Sequence, residues 1–94
     1  MLTLRFPNFN QLFVVECDAS KLAIGALLCQ EGHAVALFYE KLNEEKQRYS
    51  TYDLELYAMV QALKKWRHYL LLKEFVVYID NHVLFFMNGH EKLK

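Results

Sequence analysis

Residues 50–80 read STYDLELYAMVQALKKWRHYLLLKEFVVYID, and this stretch decides the fold. Ser50 offers a side-chain oxygen as a helix N-cap, and Asp53 lies three residues later, near the positive end of the helix dipole. Phe75–Ile79 is β-branched and aromatic throughout, which predicts a strand. Between them, apolar residues recur at helical spacing and predict an amphipathic helix of about five turns: Leu56, Met59, Val60, Leu63, Trp66 and Leu70.

Three strand-length segments precede this helix. Leu12–Cys17 is a short β-rich run, and Ala34–Tyr39 is an apolar run of similar length. For Leu22–Cys29 the helical and strand interpretations tie by periodicity, and the turn residues on either side favour a strand. Polar turns at 18–21 and 30–33 join the three segments, so we predict an antiparallel meander.

The chain after Ile79 carries one further apolar segment. His82–Met87 is consistent with the start of a second helix, and Asn88 and Gly89 resemble a helix C-cap. The predicted order is therefore β-β-β-α-β-(α), an α/β fold in which residues 1–94 form a single domain without internal repeats.

Composition excludes several classes of protein. Hydrophobic residues make up 54% of the 94, with only three Gly and one Pro, which excludes a disordered or collagen-like chain. The apolar runs are shorter than the roughly 18 residues of a membrane span. The N-terminus lacks a signal-peptide core, so we expect an intracellular protein of the cytoplasm or nucleus, with no membrane partner.

Charge and cysteine content argue against two kinds of site. The 11 Lys and Arg balance the 11 Asp and Glu, which argues against an obvious electrostatic nucleic-acid binder without excluding an enzyme that grips a phosphate backbone locally. Cys17 and Cys29 lack the spacing of a zinc site, and we expect them to be small core residues.

Three carboxylates stand apart from the other acidic residues. Asp18 and Asp80 directly follow the first and fourth predicted strands, and Glu55 lies early in the helix at the edge of its apolar stripe. Singly, they could be a turn residue, a helix cap and a dipole partner. If the two strands are parallel neighbours, with the helix as their crossover, all three converge at one sheet edge. Such a cluster suits Mg²⁺ or Mn²⁺ and metal-assisted phosphoryl chemistry.

Several motifs together resemble a known family: FVVECDAS at 13–20, IGALLCQ at 24–30, YSTYDLELYA at 49–58, ALKKWRHYL at 62–70 and YID at 78–80. They are similar to the ribonuclease H domain of reverse transcriptases from gypsy-class LTR retrotransposons and related retroelements. The resemblance runs from about residue 12 to residue 84. It implies a ribonuclease H fold with a mixed sheet, two Mg²⁺ ions, and endonucleolytic cleavage of the RNA strand of RNA–DNA hybrids.

The resemblance also assigns roles to individual residues. Asp18, Glu55 and Asp80 fall on the family's metal-binding catalytic acids. Ser20 and Gln30 match polar positions that lie near the nucleic-acid backbone in the family, although both are also ordinary turn residues. The implied cofactor is Mg²⁺, with Mn²⁺ as a substitute, as one or two ions. The implied partners are an RNA–DNA hybrid and the rest of a reverse transcriptase polyprotein.

The sequence departs from the family pattern in ways that affect these expectations. The family carries a fourth catalytic acid in a last helix beyond a fifth strand, and this chain reaches Lys94 before either, so residues 1–94 are interpreted as a partial domain. Asn81 stands in place of a usual His, Tyr39 of a Ser, and Cys17 of a Thr. Whether the chain is an enzyme is therefore left open, and we expect weak or no nuclease activity.

The same departures predict an open surface. Without a fifth strand the fourth strand is an open edge beside an under-covered apolar face, which favours dimerisation through that edge or face. Two functions remain: the ribonuclease H domain of a retroelement reverse transcriptase, or a catalytically dead, domesticated module acting in protein interaction or dimerisation. A third interpretation, in which the carboxylates are only caps and turns, does not explain why they fall at one predicted sheet edge.

Overall fold

A computed structural model describes residues 3–79 and the backbone of residues 82–86. These residues form one five-stranded sheet with the strand order β3-β2-β1-β4-β5. The elements are β1 Phe13–Ala19, β2 Ala23–Gln30, β3 His33–Lys41, a 3₁₀ turn Lys46–Arg48, α1 Thr51–Lys65, α2 Arg67–Leu70, β4 Phe75–Ile79 and β5 His82–Phe86.

The sheet is mixed, as predicted. β1 pairs antiparallel with β2, and β2 pairs antiparallel with β3, which confirms the meander. β1 also pairs in parallel with β4, in a register that runs from Phe13 opposite Phe75 to Cys17 opposite Ile79. Helix α1 lies between β3 and β4 in the chain and packs across β1 and β2, so it is part of the crossover that parallel pairing requires.

The segment after β4 is a strand, and the predicted second helix at its start is wrong. β5 pairs antiparallel with β4, from Phe75 opposite Phe86 to Ile79 opposite His82. Five apolar residues cannot separate helix from strand by periodicity, and the free edge of β4 supplies the backbone partners that decide the matter. β4 is therefore not an open edge, and the sheet does have a fifth strand. Residues 87–94, where the rest of the predicted helix falls, lie outside the described residues.

The start of α1 agrees with the sequence and its end does not. Asp53 donates its backbone N–H to the Ser50 hydroxyl at 3.1 Å, which confirms the predicted N-cap. The helix ends at Lys65, because Trp66 has φ −110° and ψ 23° and caps it. The residues after Trp66 form the separate short helix α2, so the predicted helix is two helices rather than one of five turns.

The buried side of α1 differs from the predicted stripe. Leu54, Ala58 and Ala62 face the core, whereas Leu56 and Val60 are 45% and 40% exposed. Residues 54, 58 and 62 are four apart and so lie on one face of the helix. Two alanines in that row let the helix backbone approach the sheet closely, which larger side chains would prevent.

One face of the sheet carries the core. Val15, Leu28 and Val77, from three neighbouring strands, are fully buried beneath the helices, together with Trp66. The Trp66 ring packs edge-on against Phe38 at 6.2 Å between ring centroids. Among the described residues, no helix is long and apolar enough to cross a membrane.

The opposite face of the sheet is open. Tyr39, Leu37 and Tyr78 are 69%, 55% and 44% exposed. Glu16 and Leu27 belong to the same surface, because Glu16 on β1 lies opposite Leu27 on β2 and opposite Tyr78 on β4. The described helices all pack on the other face, so this side of the sheet presents a partly apolar surface.

The close approach of α1 predicts different responses to added volume at neighbouring helix positions. Ala62→Leu should lower the free energy of unfolding by about 1–3 kcal/mol, because Ala62 is fully buried and the core cannot absorb the extra atoms. Val60→Leu, on the exposed side, should change it little. Urea unfolding followed by circular dichroism measures both, and an equal response of the two variants would contradict the observed orientation of α1.

Candidate active site at the carboxyl end of β1

Two of the predicted site residues meet beside the carboxyl end of β1. Asp18 is the sixth residue of β1 and is exposed, while Glu55 lies in the second turn of α1 and is half-buried. Together they line a cavity of about 40 Å³. The other lining residues are Cys17, Ala19, Ala58 and Ile79. The crossover therefore brings two acidic residues, one from the sheet and one from the helix, to the lining of one small cavity.

The size of this cavity limits its contents. A water molecule needs about 10–15 Å³ of such volume, so about 40 Å³ accommodates a few water-sized groups. Carboxylate oxygens are the ligands that Mg²⁺ prefers, usually with several waters retained. The donor chemistry and the space thus fit a small hydrated cation. In the part of the chain that the structure describes, no group of three or more His, Cys, Asp or Glu could hold a metal ion.

Asp80, the third predicted ligand, lies outside the described residues. The described neighbour before it in sequence is Ile79, the last residue of β4 and part of the cavity lining. Ile79 on β4 lies opposite Cys17 on β1 in the parallel pairing. In the sequence, Asp80 is the residue after Ile79, and Asp18 is the residue after Cys17.

A tight turn fixes the end of β1 directly after Asp18. The Ser20 hydroxyl accepts hydrogen bonds from the backbone N–H groups of Leu22 and Ala23, each at 3.2 Å, and donates to the Ala23 carbonyl. The Ser20 N–H also donates to the Ala23 carbonyl at 2.9 Å. Ser20 is thus a turn residue close to the cavity, and its predicted contact with a nucleic-acid backbone stays a prediction.

Gln30 is buried at the far end of β2, and its predicted contact with a nucleic-acid backbone stays a prediction. It is only 1% exposed, and its amide donates to the carbonyls of Asn8 and Gln11 while accepting from the Asn8 N–H at 2.8 Å. It ends β2 at the opposite end of the strand from Gly25, which pairs with Asp18. The structure does not bring Gln30 to the carboxylates, and its buried, fully engaged amide favours a structural role in anchoring residues 8–11.

The thiol beside Asp18 is electrically neutral. Burial raises the pKa of Cys17 to about 11, so the thiol stays protonated at neutral pH. Burial, and then the negative charge of Glu16, also raise the pKa of Cys29. Since a thiolate is the form that binds metals, both shifts disfavour metal binding by the thiols. Cys17 packs against the buried core, as predicted, whereas Cys29 is half-buried on the open side of the sheet, so its predicted core position is wrong.

Contacts of two tyrosines, Tyr49 and Tyr57, hold the start of α1. The Tyr57 hydroxyl donates to Glu40 Oε2 at 2.6 Å, and the Tyr57 ring packs edge-on against Tyr49. The Lys46 ammonium lies 4.7 Å from the Tyr57 ring centroid, and Lys21 Nζ donates to the Tyr49 carbonyl at 2.9 Å. These contacts tie α1 to β3 and to the turn after β1. They therefore help to fix the position of the helix segment that carries Glu55.

Comparison with known proteins identifies the family. A sequence model described as "RNase H-like domain found in reverse transcriptase" matches residues 8–94. The chain belongs to this family. The fold and the resemblance expected from the sequence motifs are thus confirmed, and this RNase H-like domain can be compared with its relatives.

The relatives are polyproteins of transposable elements. The domain is 42% identical over 81 residues to the retrovirus-related Pol polyprotein from transposon 297 of Drosophila melanogaster. The matched region covers 86% of this chain and 8% of that polyprotein. The domain is 36% identical over 96 residues to the corresponding polyprotein from transposon gypsy, covering 97% of this chain and 9% of the other. The chain thus spans less than a tenth of the length of these two relatives.

Solved structures support the fold. The foamy viral protease-reverse transcriptase in complex with RNA/DNA hybrid superposes with a TM-score of 0.74 at 19% identity, over 81% of this chain and 11% of the other. At this level of identity the likeness establishes the RNase H-like architecture alone.

The raised pKa of Cys17 predicts slow alkylation. With a pKa of about 11, only about one thiol in a thousand is ionised at pH 8. Iodoacetamide should therefore modify Cys17 at least about a hundredfold more slowly in the folded domain than in urea. Peptide mass spectrometry over time measures this, with the urea-unfolded chain as the control. Equal rates in the two states would show that Cys17 is not shielded beside the cavity.

Proposed function

We propose that the domain performs metal-dependent endonucleolytic cleavage of the RNA strand in RNA–DNA hybrids, as the ribonuclease H part of a retroelement reverse transcriptase polyprotein. The observation that carries this proposal is the shared cavity of Asp18 and Glu55 at the carboxyl end of β1. Two carboxylates at one point repel a phosphodiester unless a cation neutralises them, so their convergence favours metal-assisted chemistry.

Asp80 is proposed as the third carboxylate. Support comes from the parallel register, since Asp18 and Asp80 are the next residues in sequence after the paired Cys17 and Ile79. Ile79 also lines the cavity. Asp18, Glu55 and Asp80 would then hold Mg²⁺, or Mn²⁺ in its place, through hard oxygen ligands. When bound, the cation supplies an activated water and stabilises charge on the departing oxygen.

The two described carboxylates have different surroundings and therefore different proposed roles. Asp18 is exposed and can face both the cation and the substrate phosphate, whereas Glu55 is half-buried against Ala58 and orients the cation from the helix side. Because three carboxylates hold one Mg²⁺ with several waters more readily than two ions, we propose that cleavage by the 94-residue chain is slow. A second ion would need further ligands.

The proposed partners follow from the comparisons. The relatives are Pol polyproteins, and one structural neighbour carries an RNA/DNA hybrid, which supports a hybrid substrate and a polyprotein context for this domain. We propose that it acts inside the cell, in the cytoplasm or nucleus. The catalytically dead interaction module is not favoured, because nothing in these relationships separates the chain from polyproteins of transposons.

Homodimerisation remains a second, compatible proposal. Leu37, Tyr39 and Tyr78 are exposed on the open face of the sheet, and an apolar patch of this kind favours association. β3 is an edge strand of the sheet, and the backbone groups along its outer side could pair with a strand of a second copy of the chain.

Cleavage of an end-labelled RNA–DNA hybrid in Mg²⁺ or Mn²⁺ tests the proposed activity. Asp18→Asn, Glu55→Gln and Asp80→Asn should each abolish cleavage, because each removes a charge needed to hold the cation. Asp53→Asn is the matched control, since Asp53 is an exposed carboxylate two residues before Glu55 and does not line the cavity. It should keep the rate of the unchanged chain.

Two outcomes contradict the proposal. The first is a folded chain, verified by circular dichroism, that cleaves the hybrid in neither Mg²⁺ nor Mn²⁺. The second is cleavage that Asp18→Asn and Glu55→Gln leave unchanged, which would trace the activity to another group or to a contaminant.

A further inference from the structure

A row of three residues crosses the open face of the sheet from the carboxylate site. Asp18 on β1 pairs with Gly25 on β2, and Gly25 pairs with Tyr39 on β3. Directly opposed residues on neighbouring strands point to the same face of a sheet. Since Gly25 has no side chain, Asp18 and Tyr39 stand on either side of a gap. Two strand spacings, about 10 Å, separate their backbones.

This gap is the floor of a groove of about 510 Å³. Leu27 and Leu37 also line the groove, two residue pairs farther along β2 and β3 than Gly25 and Tyr39. Cys17 and Asp18 line both this groove and the smaller carboxylate cavity. The groove thus shares two residues with the proposed catalytic site, and Tyr39, which lines its far side, is 69% exposed.

The chemistry of the groove fits one nucleotide. Its apolar side, formed by Tyr39 and the two leucines, suits a flat base, because aromatic side chains stack on bases of any sequence. Glu16 also lines the groove, and its negative charge opposes a phosphate lying across the middle of the face. A phosphate would therefore lie at the Asp18 end, where a cation is proposed, and the base at the Tyr39 end.

We infer that Tyr39 stacks on a base of the nucleic-acid strand whose phosphate is held at Asp18, and that Gly25 is the opening that lets this nucleotide reach the sheet. Tyr39 is a positioning residue, since it does not touch the reacting phosphate. The inference rests on the proposed function and adds a substrate contact to it.

Hybrid binding by Tyr39 variants tests the inference. A fluorescein-labelled RNA–DNA hybrid is titrated with the 94-residue chain in Ca²⁺, and its anisotropy gives the Kd. Tyr39→Ser should weaken binding by about tenfold, because it removes one stacked base. Tyr39→Phe should bind as the unchanged chain does, because the ring and not the hydroxyl makes the contact. Tyr52→Ser is the matched control, since Tyr52 is 73% exposed on α1 and lines no part of the groove.

Cleavage kinetics in Mn²⁺ separate positioning from structure. Tyr39→Ser should raise KM with kcat unchanged, and Tyr39→Phe should restore KM. Unchanged affinity and KM in Tyr39→Ser, in a chain whose cleavage requires Asp18, would overturn this inference and leave the proposed function standing. If the unchanged chain neither binds nor cleaves the hybrid, both fail.

Sedimentation of the same variants distinguishes another occupant of the groove. If Tyr39→Ser converts a dimer to a monomer without changing hybrid affinity, a second copy of the chain covers the groove and the inference is wrong. If the sedimentation coefficient is unchanged while the affinity falls, the contact is with the nucleic acid.

Discussion

The parallel pairing of β1 with β4 is the constraint on which the rest of the structure depends. Parallel neighbours cannot be joined by a tight turn, so the chain between β3 and β4 has to cross the sheet, and α1 forms most of that crossing. The helix settles close to β1 and β2 because Ala58 and Ala62 face the sheet. Val15, Leu28 and Val77 are buried between the sheet and the helices and form the centre of the core.

The candidate site is a consequence of the same pairing. Asp18 is at the carboxyl end of β1, the Ser20 turn ends that strand, and the N-cap at Ser50 starts the helix beside it. Glu55 then lies in the second helical turn, at the cavity that Asp18 also lines. The contacts of Tyr57 with Glu40 and Lys46 hold this part of α1 to the strand layer.

Sequence patterns predicted the parts of the fold that depend on local signals. The strands β1, β3 and β4, the Ser50 cap and the start of the crossover helix each have a clear local pattern, and the meeting of Asp18 and Glu55 at one cavity follows from topology. The orientation of α1 was less accessible, because a count of large apolar residues favours Leu56 and Val60 over the alanines that pack against the sheet. β5 was missed for a related reason: its pairing partner is an edge that only the folded sheet provides.

Residues with two chemically reasonable roles were the hardest to predict. Gln30 is a polar residue in a family motif, yet its position at the end of β2 buries the amide and uses it to hold residues 8–11. Tyr39 carried no signal beyond its departure from the family pattern. Its importance comes from the cross-strand register with Gly25 and Asp18, which no local pattern encodes.

The central claim is that Asp18 and Glu55 form a cation site at the crossover. Titration of the ¹⁵N-labelled chain with trace Mn²⁺ tests it directly, because a bound paramagnetic ion broadens nearby amide resonances. We expect the amides of residues 17–19, Glu55 and Ala58 to broaden first, Gln30 to be unaffected, and Asp18→Asn to remove the effect. Broadening centred elsewhere in the chain, or unchanged by Asp18→Asn, would contradict it.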